Sequence, residues 1–389
     1  MNTLENAEHE TPIGSVGSLN GIALGRFAPV REALAANLAS GADLGASFCA
    51  TVDGQTVVDL WGGWADEACK RPWRSDTIVN VYSTTKTMTA LVALLLADRG
   101  ELDFEAPVAR YWPEFAANGK AEIKVSQLMS HSAGLPDWHE PITNDDLYDW
   151  EKVTRLLADQ APDWVPGTEP GYHSVTFGYL VGEVVRRITG RSLGTVFRQE
   201  IAEPLGADFY IGLPASEDAR VADLIPPPGP PDPRISLDVM DTRTREWRGA
   251  ELPAIGGTGN ARAIAEIHAI LANGGVAKGK RFLSEAGCRK ALEIQVSGRD
   301  RILGFSICNG MGFAVSGGLL SFPNPNTIYW GGYGGSLAVI DMDAHTSIAY
   351  AMNKMPQSST DMRGLRLATE FWKAQGLIYA GFGADAHTD

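Results

Sequence analysis

Residues 81–100 read VYSTTKTMTALVALLLADRG, and the reading of this stretch decides the fold. Thr77–Tyr82 is a short extended run. From Ser83 onward Met88, Leu91, Val92 and Leu95 recur at helical spacing, and Gly100 supplies a stop. A helix over Ser83–Arg99 that follows a strand directly places Ser83 at the junction, where a side chain is exposed. Residues i and i+3 share a helix face, so Lys86 is expected beside Ser83. A serine hydroxyl is a weak nucleophile until a base takes its proton. The helix N-terminus adds positive potential and N–H donors. Of the ten lysines, only Lys86 follows a serine at this spacing. A capping serine followed by a solvated lysine leaves the same letters, so the motif needs support from elsewhere in the chain.

Two other stretches carry compatible chemistry. Tyr172-His173-Ser174 follows Pro170-Gly171 in a loop, and only Tyr172 among ten tyrosines has Ser or Asn two positions on. A tyrosine that is a phenolate, or that shares a proton with a lysine, serves as general base and then as acid. A nearby lysine favours the phenolate by charge. Near the C-terminal end, Trp330-Gly331-Gly332-Tyr333-Gly334-Gly335-Ser336 has the small residues that let backbone N–H groups approach a ligand. A substrate carbonyl is expected between the N–H groups of Ser83 and Tyr333, an oxyanion hole. Ser174, Trp330, Gly331, Gly332, Tyr333 and Trp138 are the expected substrate contacts. Trp61-Gly62-Gly63 repeats three letters but precedes the serine and ends a strand run, so it reads as a structural turn.

Residues 1–20 read as a loose leader. Phe27–Leu38 is an amphipathic helix on Val30, Leu34 and Leu38. Gly45–Val52 and Thr56–Trp61 are strand runs joined by Asp53-Gly54, a hairpin signal. Further helices are expected at Val125–Met129, Glu151–Gln160, Val175–Thr189, Leu193–Ile201, Arg262–Asn273 and Arg363–Gln375. Strands are expected at Leu303–Cys308, Phe313–Ser316, Thr327–Trp330, Ser336–Asp341 and Thr346–Met352. Pro226–Pro233 can only be an extended loop. Strands at both ends with helices between suggest an α/β domain from residues 21–100 and 255–389, wrapped around a mostly helical one at 101–254.

The chain has 389 residues, 44% of them hydrophobic, which rules out wholesale disorder. Lys plus Arg total 33 against 47 Asp plus Glu, a net charge of −14, which argues against nucleic-acid and anionic-membrane partners. The start, MNTLENAEHETPIG, has no basic, apolar secretory pattern. Cys49, Cys69, Cys288 and Cys308 are scattered and read as free thiols of a reducing cytoplasm, although an even count permits disulfides. No zinc pattern and no GxSxG nucleophile elbow occurs, and no metal or organic cofactor is implied.

The three motifs in this order, with the framing segments VSQLMSHSAGLPDW, WVPGTEPGYHSVTFGYLVGEVVRRITG and YWGGYGGSLAVIDMD, resemble the serine β-lactamase-like esterases. These are the family VIII carboxylesterases, related to class C β-lactamases and D-Ala-D-Ala peptidases. The resemblance covers roughly residues 20–385. It implies the serine β-lactamase/DD-peptidase fold, an antiparallel sheet flanked by helices with an inserted helical region. It implies Ser83 as acylated nucleophile and Lys86 with Tyr172 as the base system, the principal base being open. It places His131 in a structural loop, and His173 should point away from the site. Trp330 stands where lactamases carry a lysine that faces the substrate carboxylate, and Ser174 replaces an asparagine. Both changes favour small neutral esters. A β-lactam or amide hydrolase, or an acyltransferase, shares the chemistry; a non-catalytic binding protein needs none of the three residues.

Overall fold

The computed structural model describes residues 11–12, 17–227, 238–356, 361–379 and 381–382. Its frame is a ten-stranded antiparallel sheet. The N-terminal strands are β1 (Thr11–Pro12), β2 (Ser18–Ala23), β3 (Gly45–Val52) and β4 (Gln55–Gly63). They stand in the order β1-β2-β4-β3, followed by Thr346–Met352, Leu337–Asp341, Thr327–Gly331, Ala314–Val315, Ser306–Asn309 and Val296–Arg299. The two ends of the chain therefore meet in mid-sheet, where Ala50 pairs with Ile348.

Local chemistry explains the β3–β4 hairpin. Asp53 and Gly54 both take positive φ, 50° and 72°, as the twist of a two-residue turn demands. The last residues expected as a loose leader instead begin β2, which pairs Leu19 with Gly62 and Ala23 with Val58. Gly62 and Gly63, expected as a turn, are the end of β4 inside the sheet. A Cβ on Gly63 would lie 2.0 Å from Leu44 O, so the strand needs glycine there. The edge strand Val296–Arg299 is a further addition to the expected set.

Strand β3 is buried on both faces and accordingly reads as an unbroken run of small and apolar residues. Phe48 and Ala50 face one core with helix α1 (Ala28–Ser40) and the helix Arg363–Ala374; Phe27 stacks on Phe371 with centroids 4.8 Å apart. Cys49 faces the other core, shared with helix Ala261–Ala272 and with α2 (Thr85–Asp98). Helix α2 is buried on nearly every side. Such a helix tolerates its threonines only with bonded hydroxyls: Thr87 donates to Thr84 O at 2.7 Å and Thr89 to Pro253 O at 2.6 Å. Helix α5 (Thr176–Thr189) packs on it, and α3 (Val125–Met129) and α4 (Trp150–Asp159) pack in turn on α5. The helix expected through Ile201 is α-helical only to Phe197 and continues as a π-turn over Arg198–Ala202. The extended run before Ser83 narrows to β5 (Val79–Asn80), which pairs with Thr258–Gly259 outside the main sheet. The Pro226–Pro233 loop lies outside the described residues from 228 onward.

A buried ion pair ties the two chain ends. Arg363 Nη1 donates to Asp43 Oδ1 at 2.5 Å, and Tyr350 OH donates to the same oxygen at 2.5 Å. Breaking such a pair strands a buried charge. Arg363→Ala is expected to lower unfolding stability by about 3 kcal/mol in a urea melt, whereas a loss within about 0.5 kcal/mol, the size of a surface substitution, would show the tie to be dispensable.

Candidate active site

Ser83 sits in a 3-10 turn, Tyr82–Thr84, that hands over to α2 at Thr85, two residues later than a simple helix reading places the start. The turn is pinned from several sides. Asn80 Oδ1 accepts from Tyr82 N at 3.0 Å while its Nδ2 donates to Ile255 O at 3.1 Å. Thr85 Oγ1 donates to Tyr82 O at 2.5 Å and accepts from Gly257 N at 2.8 Å. Tyr82 itself is held at φ 42°, a left-handed conformation rarely adopted by a bulky residue. This strain sits next to the residue whose hydroxyl has to be presented.

The geometry brings Ser83, Lys86 and Tyr172 together. Lys86 Nζ lies 3.0 Å from Ser83 Oγ, and Tyr172 OH donates to the same Oγ at 2.6 Å. Lys86 Nζ also donates to Ser174 O at 2.6 Å and to Ala254 O at 3.1 Å. The amine is fully buried, and desolvation holds its pKa well below the usual lysine value. The Tyr172 ring, with its centroid 4.8 Å away, favours an ammonium. Burial opposes that weak attraction and outweighs it, because a buried charge costs far more. Burial also pushes the Tyr172 phenol up to about 12, against side-chain hydrogen bonding with Ser83 and with Trp330 that pulls it down. Both shifts run against the expected phenolate: burial favours a neutral phenol at Tyr172 and a neutral amine at Lys86.

Two histidines brace the tyrosine loop. His131 O accepts from Gly171 N at 2.9 Å, and His131 Nδ1 accepts from His173 N at 3.1 Å. His173 Nε2 accepts from Leu135 N at 3.0 Å, so its Nδ1 carries the proton shared with Gly171 O at 2.6 Å. Its ring thus serves the loop instead of the serine, as expected. Both rings are neutral: desolvation lowers His131 well below the usual histidine value and His173 to about 4. His131 stacks on Trp330 with centroids 5.4 Å apart, and Trp330 in turn lies 5.5 Å from the Tyr172 ring. Trp330 is therefore the wall behind Tyr172.

The glycine-rich turn docks onto the serine turn. Ser336 Oγ donates to Val81 O at 2.8 Å and lies 2.9 Å from Thr84 Oγ1. A Cβ on Gly332 would lie 2.1 Å from Val81 O, so that position admits only glycine. Gly331 is exposed, with only Ser336 O at 3.4 Å from a notional Cβ. The Tyr333 ring sits edge-on to Tyr82 at 5.5 Å. Ser174 is half-buried.

Trp138 is a correction. Its indole N–H is committed to Val153 O at 2.9 Å and its ring packs edge-on to Tyr179 at 5.6 Å, so it belongs to the core between α4 and α5. Two participants escaped the sequence reading. The Ala254 carbonyl is a backbone atom with no side-chain signature, and Asp300, which binds Tyr172 N at 3.1 Å, lies in a Gly-Arg-Asp-Arg loop that reads as solvated. Among the described residues no group of three or more His, Cys, Asp or Glu is placed to hold a metal ion.

A hydroxyl gripped by a buried lysine and a tyrosine, at the head of a buried helix beside an antiparallel sheet, defines the active-site-serine fold of β-lactamases and penicillin-binding proteins. The chain belongs to the beta-lactamase family, whose model matches residues 30–370. A crystal structure of a family VIII carboxylesterase superposes with a TM-score of 0.87 at 43% identity, covering 92% of this chain and 99% of that one. A penicillin-binding protein homologue from Caulobacter crescentus superposes with a TM-score of 0.85 at 37% identity, covering 92% and 99%. The esterase/beta-lactamase LipL of Mycobacterium tuberculosis is 38% identical over 283 residues, 67% of this chain and 66% of LipL.

Proposed function

We propose that the protein is a serine carboxylesterase that cleaves small neutral carboxylic esters through an acyl-enzyme at Ser83. The observation that carries this reading is the Ser83 hydroxyl, held between Lys86 Nζ at 3.0 Å and Tyr172 OH at 2.6 Å. Likeness to a carboxylesterase and to LipL supports it. Two carbonyls occupy two directions around Lys86 Nζ, which leaves the lone pair of the neutral amine facing Ser83 Oγ. Lys86 takes the Ser83 proton as Oγ bonds to the ester carbonyl. The N–H groups of Ser83 and Tyr333 hold the oxyanion. Tyr172, a neutral phenol, gives its proton to the departing alkoxide, and the proton held by Lys86 makes good the loss. Water then repeats the attack on the acyl carbonyl and frees Ser83. The seam between residues 101–254 and the sheet region is the proposed site, since Lys86 bonds carbonyls at 174 and 254. Four unpaired cysteines support a reducing, cytoplasmic setting.

Trp330 offers an apolar indole where a lactamase carries an ammonium, which favours substrates without a carboxylate. Turnover of p-nitrophenyl butyrate is expected to exceed that of nitrocefin by at least about 100-fold in kcat/KM, the worth of a lost ionic contact of about 2–3 kcal/mol. Comparable rates would assign a lactamase, and transfer of the acyl group to an added alcohol in place of water would assign an acyltransferase.

The lowered Lys86 pKa sets the pH dependence. The active form is the amine, so kcat/KM falls as pH drops through the folded-state pKa of Lys86, with unit slope. Tyr172 acts protonated and is pushed up to about 12, so no alkaline loss is expected over the range where p-nitrophenyl esters are stable to base. A profile that rises toward acid would contradict a lysine base.

A further inference from the structure

A buried carboxylate holds the tyrosine loop in place. Asp300 is 1% exposed and follows the edge strand Val296–Arg299. Its Oδ1 accepts three backbone N–H groups: Tyr172 at 3.1 Å, Ile302 at 2.9 Å and Leu303 at 2.8 Å. The next residue continues the clamp. Arg301 N donates to Pro170 O at 3.0 Å, its guanidinium lies 5.4 Å over the Trp164 ring, and its Nη1 binds Glu169 Oε1 at 2.7 Å. The C-terminal segment thus grips residues 169–172 on one side, while His131 O grips Gly171 N on the other.

We infer that Asp300 is a positioning residue for ester hydrolysis, fixing through Oδ1 the backbone from which Tyr172 reaches Ser83 Oγ. The inference rests on the assignment of Ser83 and Tyr172 proposed above. The 2.6 Å contact between Tyr172 OH and Ser83 Oγ depends on where the Tyr172 Cα lies, and the main-chain atoms around it are bound by Asp300 and the two histidines. A structural carboxylate elsewhere in the molecule has no such lever on the reacting oxygen. Asp300 Oδ2 is buried without a hydrogen-bond partner among the described residues. The charged and titratable groups around Tyr172 are Lys86 from α2, His131 from the loop after α3, His173 beside it and Asp300. The negative charge of Asp300 adds to the burial that keeps the phenol protonated.

The test separates position from charge. Asp300→Asn keeps an oxygen at the Oδ1 place and drops the charge. Asp300→Ala removes the acceptor. For p-nitrophenyl butyrate, kcat of Asp300→Asn should stay within about threefold of wild type, while kcat of Asp300→Ala falls about 100-fold with KM changed less than about twofold, the signature of a displaced reacting group. If Asp300→Ala does not fold, Asp300→Glu replaces it: charge is kept, the oxygen is moved by one methylene, and an about tenfold or larger loss of kcat is expected. Wild-type kcat in the alanine or glutamate variant, or an equal loss in the asparagine variant, overturns the inference. A Ser83→Ala control assigns the blame: if it stays active, the nucleophile is wrong; if it is inactive while the Asp300 variants behave as wild type, only the role of Asp300 fails.

Discussion

Ser83→Ala is expected to reduce kcat for an activated ester by about 10⁴-fold or more while leaving the fold intact, because in the proposed mechanism the removed oxygen is the one that bonds to carbon. Ser83 Oγ is the common partner of Lys86 and Tyr172, so its loss leaves both proposed proton carriers with nothing to act on. The cost to stability is small. Lys86 retains the Ser174 and Ala254 carbonyls, and one released phenol costs about 1 kcal/mol. Matched thermal melts and p-nitrophenyl butyrate assays check both halves. A folded alanine variant that keeps a tenth of the activity would place the chemistry elsewhere.

Lys86→Met carries the second large effect. Methionine nearly matches the lysine stem in length and suits the apolar surroundings of α2, so packing survives. The proposed base disappears, and about 10³- to 10⁴-fold of kcat should go with it, the upper range for a positioned general base. The sign of the stability change is informative. A lysine whose folded pKa lies below its unfolded value opposes folding below that unfolded value, and this opposition is relieved as pH rises. Removing it takes away a cost at neutral pH and offsets the two carbonyls left without their donor. Near-neutral stability with a loss of activity is therefore the expected pair of results. A variant that loses stability and activity together, and recovers activity on addition of a stabilising osmolyte, would make Lys86 a structural strut.

The parts of this molecule legible in its sequence are those decided within a few residues. The Asp53-Gly54 hairpin, helix α2 and the i, i+3 spacing of Ser83 and Lys86 are of this kind. Strand β2 was not legible, because SLNGIA has no alternation and becomes a strand only by pairing with β4 across the chain. Val296–Arg299 likewise has three exposed residues of four and is a strand through its register with Ser306–Asn309. Trp138 shows the converse limit: an aromatic near the site in sequence was committed to the core by a carbonyl on α4. Within the site, side-chain chemistry could be read and backbone chemistry could not. The Ser174 and Ala254 carbonyls that hold Lys86 carry no residue signature. Nor did spacing reveal that burial would raise the Tyr172 phenol and lower the Lys86 amine, the shifts on which the proposed roles of acid and base rest. That division depends on the low dielectric around α2, which only the assembled core supplies.

Reaction with a fluorophosphonate, followed by intact mass and peptide mapping, tests the nucleophile most directly. One label per chain is expected, on the peptide that contains Ser83, with ester hydrolysis lost in proportion to labelling. Full ester turnover by a chain that takes no label, or a label carried by a different residue, would contradict Ser83 as the nucleophile.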